Sequence, residues 1–134
     1  MHLIDVYDIE GWKTQALYDI LSERTPDESI SHKEMPAWDE HVKFVGSRPY
    51  AHWYLIESPL LHVVGTIYLT ENREVGVFIK REFRGEGFAK TAISLLRDRH
   101  PGRLLANVNP DNKPSRKLWE SLGGELIQVT YELA

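Results

Sequence analysis

A short glycine-containing segment in the second half of the chain has the residue types needed to bind an anion. It reads Arg84-Gly85-Glu86-Gly87-Phe88-Ala89, and it follows an apolar stretch typical of a strand and precedes the spacing of an amphipathic helix. The first N–H groups of a helix lack partners within the helix, and the helix dipole favours negative charge there. Glycine also lets the backbone approach a phosphate closely. The segment therefore predicts a site for a phosphate-bearing ligand.

Two nucleotide-binding patterns fail at this segment. A P-loop ending at residues 90–91 requires glycines where the chain has Arg84 and Ala89. A dinucleotide fingerprint that begins at Gly85 and Gly87 requires its third glycine at position 90, which is a lysine. The spacing of Arg84, Gly87 and Ala89 fits a third pattern instead, [RQ]-x-x-G-x-[GA]. A simple chain reversal is the alternative interpretation of such a turn when it stands alone.

Two motifs together resemble the GNAT superfamily of acetyl-CoA-dependent N-acetyltransferases. The first is the segment just described, and the second reads Asn112-x-x-Ser115-x-x-Leu118-Trp119-x-x-x-Gly123, similar to the family's N-x-x-[SA]-x-x-[LF]-Y-x-x-x-G-F. The resemblance covers residues 64–133, with both motifs in the family's order. It implies an N-acetyltransferase that uses acetyl-CoA as the acyl donor.

The resemblance also implies which residues bind the coenzyme. Amides of the glycine segment would hold the pyrophosphate, the preceding strand would pair with the pantetheine arm, and the second motif would supply two further contacts. The implied residues are Val77, Ile79, Arg84, Gly85, Glu86, Gly87, Phe88, Ala89, Asn112 and Ser115.

The catalytic groups are less directly indicated. Acetyl transfer to an amine needs a proton acceptor, and an acid helps the thiolate to leave. The tyrosine that often serves as the acid in this family is Trp119 here, and indole cannot donate a proton in this way. Asn107 stands where many relatives that acetylate protein amino termini have a glutamate base. The remaining candidates are Glu74 as a base acting through water and Tyr68 as an acid or orienting hydroxyl, and His41 is expected on a helix surface.

Composition excludes several other classes of function. The chain of 134 residues has no cysteine, which removes thiolate chemistry and disulfides, and its histidines show no metal-ligand spacing, so we expect no metal. A net charge of −4 argues against a nucleic-acid partner. No export signal and no run of about 18 apolar residues is present. We therefore expect a cytoplasmic protein without a membrane partner, either a monomer or a homodimer.

The acceptor is indicated only by the region that lines it in the family, residues 29–44 here. This region and the strand after it look similar to the branch that contains amino-sugar and ribosomal-protein N-terminal acetyltransferases. We expect a small-molecule amine such as an amino sugar, because no strongly acidic cleft for a basic peptide is evident. A protein amino terminus and a non-catalytic acyl-CoA-binding sensor are the alternatives.

The elements that position these residues form one predicted domain, 1–134. Hydrophobic spacing predicts strands at residues 3–7, 50–56, 63–69, 75–79, 104–108 and 125–133. It predicts helices at residues 12–21, 36–46 and 89–100, and a last helix that begins at Asn112 or Ser115, with a loop over residues 22–36. The fold class is α+β, with a mixed and mainly antiparallel sheet and helices on both faces.

Overall fold

A computed structural model describes residues 1–8, 11–24 and 35–134 of the chain. The strands are β1 (His2–Asp5), β2 (His52–Glu57), β3 (Val63–Leu69) and β4 (Val75–Ile79). The α-helices are α1 (Trp12–Leu21), α2 (Trp38–Gly46), α3 (Phe88–Arg99) and α4 (Lys113–Ser121), and a 3-10 turn spans Arg81–Phe83. Most of the loop predicted for residues 22–36 lies outside the described residues.

The four strands form one antiparallel sheet in the order β1-β2-β3-β4. Short turns join β2 to β3 and β3 to β4, so each strand pairs with its neighbour in sequence. Ile67, in the middle of β3, pairs with Tyr54 of β2 and Val77 of β4. The predicted antiparallel meander is therefore confirmed, and β4 lies at one edge of this sheet.

Both faces of the sheet are covered by helices. On one face Tyr54 and Ile67 pack with Ile93 and Leu96 of α3 and form the α3-side core. On the other face, core residues of α1 and α2 pack against the side chains that alternate with these along the strands. Leu55 and its neighbour in sequence, Ile56, are therefore both fully buried, although their side chains point to opposite faces. The predicted arrangement of helices on both faces is confirmed.

Two predicted strands do not form. Residues 104–108 make only a single parallel bridge, between Leu105 and Glu74. Residues 125–133 have no regular secondary structure, and five apolar side chains within 126–133 are 62–101% exposed. Their alternating sequence fits a strand, but a strand exists only where another backbone pairs with it, and no described residue pairs with this segment. The 3-10 turn at Arg81–Phe83 was not predicted.

Candidate active site

The glycine segment joins β4 and the 3-10 turn to the first turn of α3. Gly85 and Gly87 both have left-handed backbone angles, with φ of 82° and 80°. A Cβ atom at either position would meet nothing within 4 Å, so backbone conformation and not space accounts for glycine here. Gly87 is the residue before α3 and supplies no side-chain cap to the helix.

The amides of this segment are free to bind a ligand. The Gly87 carbonyl accepts hydrogen bonds from the backbone N–H and the hydroxyl of Thr91, which holds the start of α3. Among the described residues, nothing accepts a hydrogen bond from the amides of residues 85–90. Residues 85–87 are also exposed. Exposed donors at a helix N-terminus form an anion-binding site.

The remaining side chains of the segment have separate positions. Arg84 lies against β4, where its Nε donates to the Ile79 carbonyl at 3.0 Å and its guanidinium is 5.0 Å from the centre of the Phe78 ring. Phe88 and Ala89 are half-buried against the α3-side core, and Glu86 is exposed.

The edge of β4 that faces away from β3 carries open hydrogen-bonding groups. In β4 and the residues that flank it, the even-numbered backbone groups form the hydrogen bonds towards β3. One example is the bond from the Lys80 N–H to the Val64 carbonyl. Antiparallel pairing alternates, so the backbone groups of the odd-numbered residues point to the other edge. Val75 donates there to Leu105, but no described residue pairs with Val77 or with the Ile79 N–H. This part of the edge can pair with an extended ligand.

Asn112 and Ser115 meet at the start of α4. The Asn112 side-chain oxygen accepts a hydrogen bond from the Ser115 backbone N–H at 3.2 Å, which makes Asn112 the cap of the helix. Of the two predicted starting points, the structure selects Asn112. The cap leaves the Asn112 amide group and the Ser115 hydroxyl able to donate to a ligand. Trp119, farther along α4, packs half-buried against the α3-side core.

Glu74 and Asn107 lie in direct contact. The Glu74 carboxylate accepts a hydrogen bond from the Asn107 side-chain amide, beside the bridge that joins β4 to residues 104–108. Glu74 is half-buried and directly precedes β4. The sequence singled out both positions, and the structure brings them together.

A cavity of about 180 Å³ lies between α1, α2 and the sheet face that they cover. Its wall is mainly aromatic and aliphatic, with a few polar groups. The lining residues are Leu17, Ile20, Leu21, Arg24, Pro36, Glu40, His41, Phe44, Tyr50, Trp53, Thr66 and Tyr68. Tyr68 is the only one of these that was named as a candidate catalytic residue from sequence.

Tyr68 is fixed by its neighbours in the cavity wall. Its ring stacks on Tyr50 with centroids 3.7 Å apart and an interplanar angle of 3°. Its other support is Gly76, directly opposite on β4, where a Cβ would lie 2.0 Å from the Tyr68 ring. Burial and the neighbouring Tyr68 raise the pKa of Tyr50, so its hydroxyl stays protonated in the working range of pH. In a regular antiparallel pair, Glu74 would be a diagonal neighbour of Tyr68 at about 7–8 Å.

His41 corrects the prediction of a surface histidine. It is 4% exposed, and its Nε2 lies 3.0 Å from the Thr14 carbonyl of α1. Burial lowers the pKa of His41, and the hydrogen bond to Thr14 opposes the shift only in part. The ring is therefore neutral at pH 7, donates through Nε2 and keeps Nδ1 as an acceptor.

Several cavity residues were missed in the sequence. Trp53 lies in a strand as predicted, but its place in the cavity wall was not predicted. There its indole donates to the Thr66 hydroxyl at 2.9 Å. Tyr50 was likewise assigned only to this strand. Arg24 belonged to the predicted loop. Alternation along β2 was a signal that Trp53 faces one side of the sheet, but it could not show which helices cover that side.

Comparison with known proteins agrees with this architecture. The acetyltransferase (GNAT) family matches residues 14–124 of the chain. The spermidine N-acetyltransferase from Vibrio cholerae in complex with CoA and spermine superposes with a TM-score of 0.74 and 18% identity, covering 91% of this chain and 79% of that one. An N-acetyltransferase from Staphylococcus aureus Mu50 gives a TM-score of 0.64 and 17% identity, covering 82% of this chain and 78% of that one. At these identities the two structures establish the fold. No curated protein matches the sequence.

Proposed function

Since the chain belongs to the GNAT family of acetyltransferases, we propose that it transfers the acetyl group of acetyl-CoA to a small-molecule amine bound in the cavity. Acetyl-CoA is the donor that the family uses. The observation that carries the proposal is the position of β4 between two sites. One edge of β4 has open backbone groups and leads to the free amides of the glycine segment, while its face continues the wall that contains Tyr68.

The proposed coenzyme contacts come from β4, the glycine segment and the start of α4. The amides of residues 85–89 hold the pyrophosphate at the N-terminus of α3. The pantetheine arm, which carries amide groups, pairs with Val77 and Ile79 as a further strand would. Asn112 and Ser115 donate from the start of α4, and Arg84 contributes positive charge beside β4.

The reaction is a direct attack in a ternary complex. The neutral amine nitrogen forms a bond to the thioester carbonyl carbon, the carbon–sulfur bond breaks, and the coenzyme leaves as a thiolate that takes up a proton. Glu74, steadied by Asn107, accepts the amine proton through water. The Tyr68 hydroxyl orients the amine or supplies the proton to the thiolate. Trp119 has no proton for either step.

The size of the cavity favours a small acceptor. Pockets that bury drug-sized ligands have volumes of about 300–1,000 Å³, and this one encloses about 180 Å³. An amino sugar or another compact amine fits such a volume better than a folded protein terminus. A polyamine is a second class to test, because a solved relative of the same fold contains spermine.

The test is release of coenzyme A thiol from acetyl-CoA in the presence of amines. A panel of glucosamine, spermidine, an α-amino acid and an amino-terminal peptide covers the acceptor classes above. We expect turnover with at least one small amine and little with the peptide. Tight binding of acetyl-CoA without turnover on any amine would identify a sensor instead. A melting temperature raised by ATP but not by acetyl-CoA would contradict the coenzyme site itself.

A further inference from the structure

Arg24 brings a positive group to the acceptor cavity, and no described residue forms an ion pair with it. It follows α1, with its backbone N–H bonded to the Leu21 carbonyl, and its side chain lines the cavity. Its Nε atom is buried and has no hydrogen-bond partner in the part of the chain that the structure describes. Its guanidinium carbon lies 5.4 Å from the centre of the Phe78 ring, so the group lies beside the sheet. A buried donor without an acceptor costs about 1–3 kcal/mol, and a ligand with an acceptor removes that cost.

The other described polar residues of the cavity do not neutralise Arg24. Glu40 also lines the cavity, but no ion pair joins it to Arg24, and the ion pairs among the described residues lie elsewhere. His41 adds no negative charge, and its Nε2 is already bonded to Thr14. Apart from Thr66, the other described residues of the wall are aromatic or aliphatic, and a charge interaction is stronger in such surroundings than in water.

We propose that Arg24 binds an anionic group of the acceptor, so that the preferred substrates are small amines bearing a carboxylate or a phosphate. The inference rests on the proposed function and names the substrate class of that site. A guanidinium fork matches the paired oxygens of either group. Glu40, exposed beside the cavity, can hold the ammonium form of the amine before it loses its proton. A polyamine places a second positive charge near Arg24 and is disfavoured.

The experiment compares matched amines that differ only in the anion. The pairs are glucosamine 6-phosphate with glucosamine and an α-amino acid with its amide, and spermidine serves as the cationic comparison. We expect kcat/KM to be at least about tenfold higher for the anionic member of one pair, a difference of about 1.4 kcal/mol. A difference in the glucosamine pair indicates a phosphate-binding site, and a difference in the amino-acid pair indicates a carboxylate-binding site.

Variants of Arg24 assign the effect to this residue. Arg24→Gln should lower the ratio of kcat/KM between the anionic acceptor and its neutral partner at least about tenfold, while Arg24→Lys keeps part of the preference. Arg97→Gln, at an exposed position on α3, is the matched control and should behave as wild type. The inference is overturned if wild type turns over the anionic and the neutral amine of each pair equally, or if Arg24→Gln loses kcat/KM equally for both. Either result still supports acetyl transfer as the proposed function. Turnover of no amine contradicts the proposed function as well.

Discussion

The carboxylate of Glu74 accepts a hydrogen bond from the side-chain amide of Asn107, which joins the start of β4 to the segment beside it. By the register of β3 and β4, Glu74 is a diagonal neighbour of Tyr68 on the same face of the sheet. Asn107 has no basic atom that could replace the carboxylate. Glu74 is therefore the residue of this pair that can accept a proton.

Replacing Glu74 by glutamine keeps the shape and removes the proton acceptor. Glu74→Gln should lower kcat at neutral pH by about 10²-fold, because a general base contributes about 10²–10⁴-fold. Its affinity for acetyl-CoA should stay close to wild type. Glu71→Gln, exposed in the turn between β3 and β4, is the matched control and should be silent. A Glu74 variant with wild-type kcat would remove this residue from the proton path.

Part of this site could be predicted because its determinants are local. The predicted bounds of β3 and β4 match the structure, since runs of β-branched and aromatic residues there end at turn residues. The glycines before α3 also mark a local requirement, a left-handed backbone, and both have positive φ.

The missed features depend on partners distant in the sequence. His41 is buried because α1 packs over it and supplies the Thr14 carbonyl, and no pattern within α2 contains that information. Residues 125–133 have the alternation of a strand, yet the alternation does not say whether an edge is available to pair with. Arg24 lies in a polar stretch whose local sequence reads as a loop, so its place in the cavity emerges only from the packed structure.

Charge at Gly87 should oppose binding of the pyrophosphate. Gly87→Asp adds a carboxylate beside the free amides at the start of α3, whereas Gly87→Asn has nearly the same shape without the charge. Both side chains tolerate the positive φ of this position better than most. Titration calorimetry should show acetyl-CoA bound about 5- to 30-fold more weakly by the aspartate variant than by the asparagine variant, from a repulsion of about 1–2 kcal/mol. Equal affinities would contradict an anion site at this turn.

Acid should destabilise the protein through His41. Burial lowers the pKa of His41 below its ordinary value. Below about pH 6.5 the His41 ring is therefore protonated to a greater extent in the unfolded chain than in the folded chain. The stability contributed by neutral His41 is present above that pH and is lost as the pH falls towards the lower folded pKa. Urea unfolding of His41→Gln should show a shallower loss of unfolding free energy below pH 6.5.

Part of that loss should remain in the His41 variant. Burial also lowers the pKa of His100, followed by the effect of the adjacent His52, so His100 contributes a slope of the same sign. An unchanged slope in His41→Gln would mean that the buried ring does not couple to folding in this range of pH.

A methyl group at Gly76 should disturb the cavity wall from beneath. The Cβ of Gly76→Ala would lie 2.0 Å from the Tyr68 ring, which must leave its stack with Tyr50 to make room. We expect a loss of about 1–3 kcal/mol in unfolding free energy, as for other overpacked sites, and a higher KM for the amine at unchanged affinity for acetyl-CoA. Gly46→Ala is the matched control, because a Cβ there meets nothing within 4 Å, and its stability should equal or exceed that of wild type. If Gly76→Ala kept both the stability and the KM of wild type, the Tyr68 ring would not depend on Gly76 for its position, and its place in the acceptor site would have to come from Tyr50 alone.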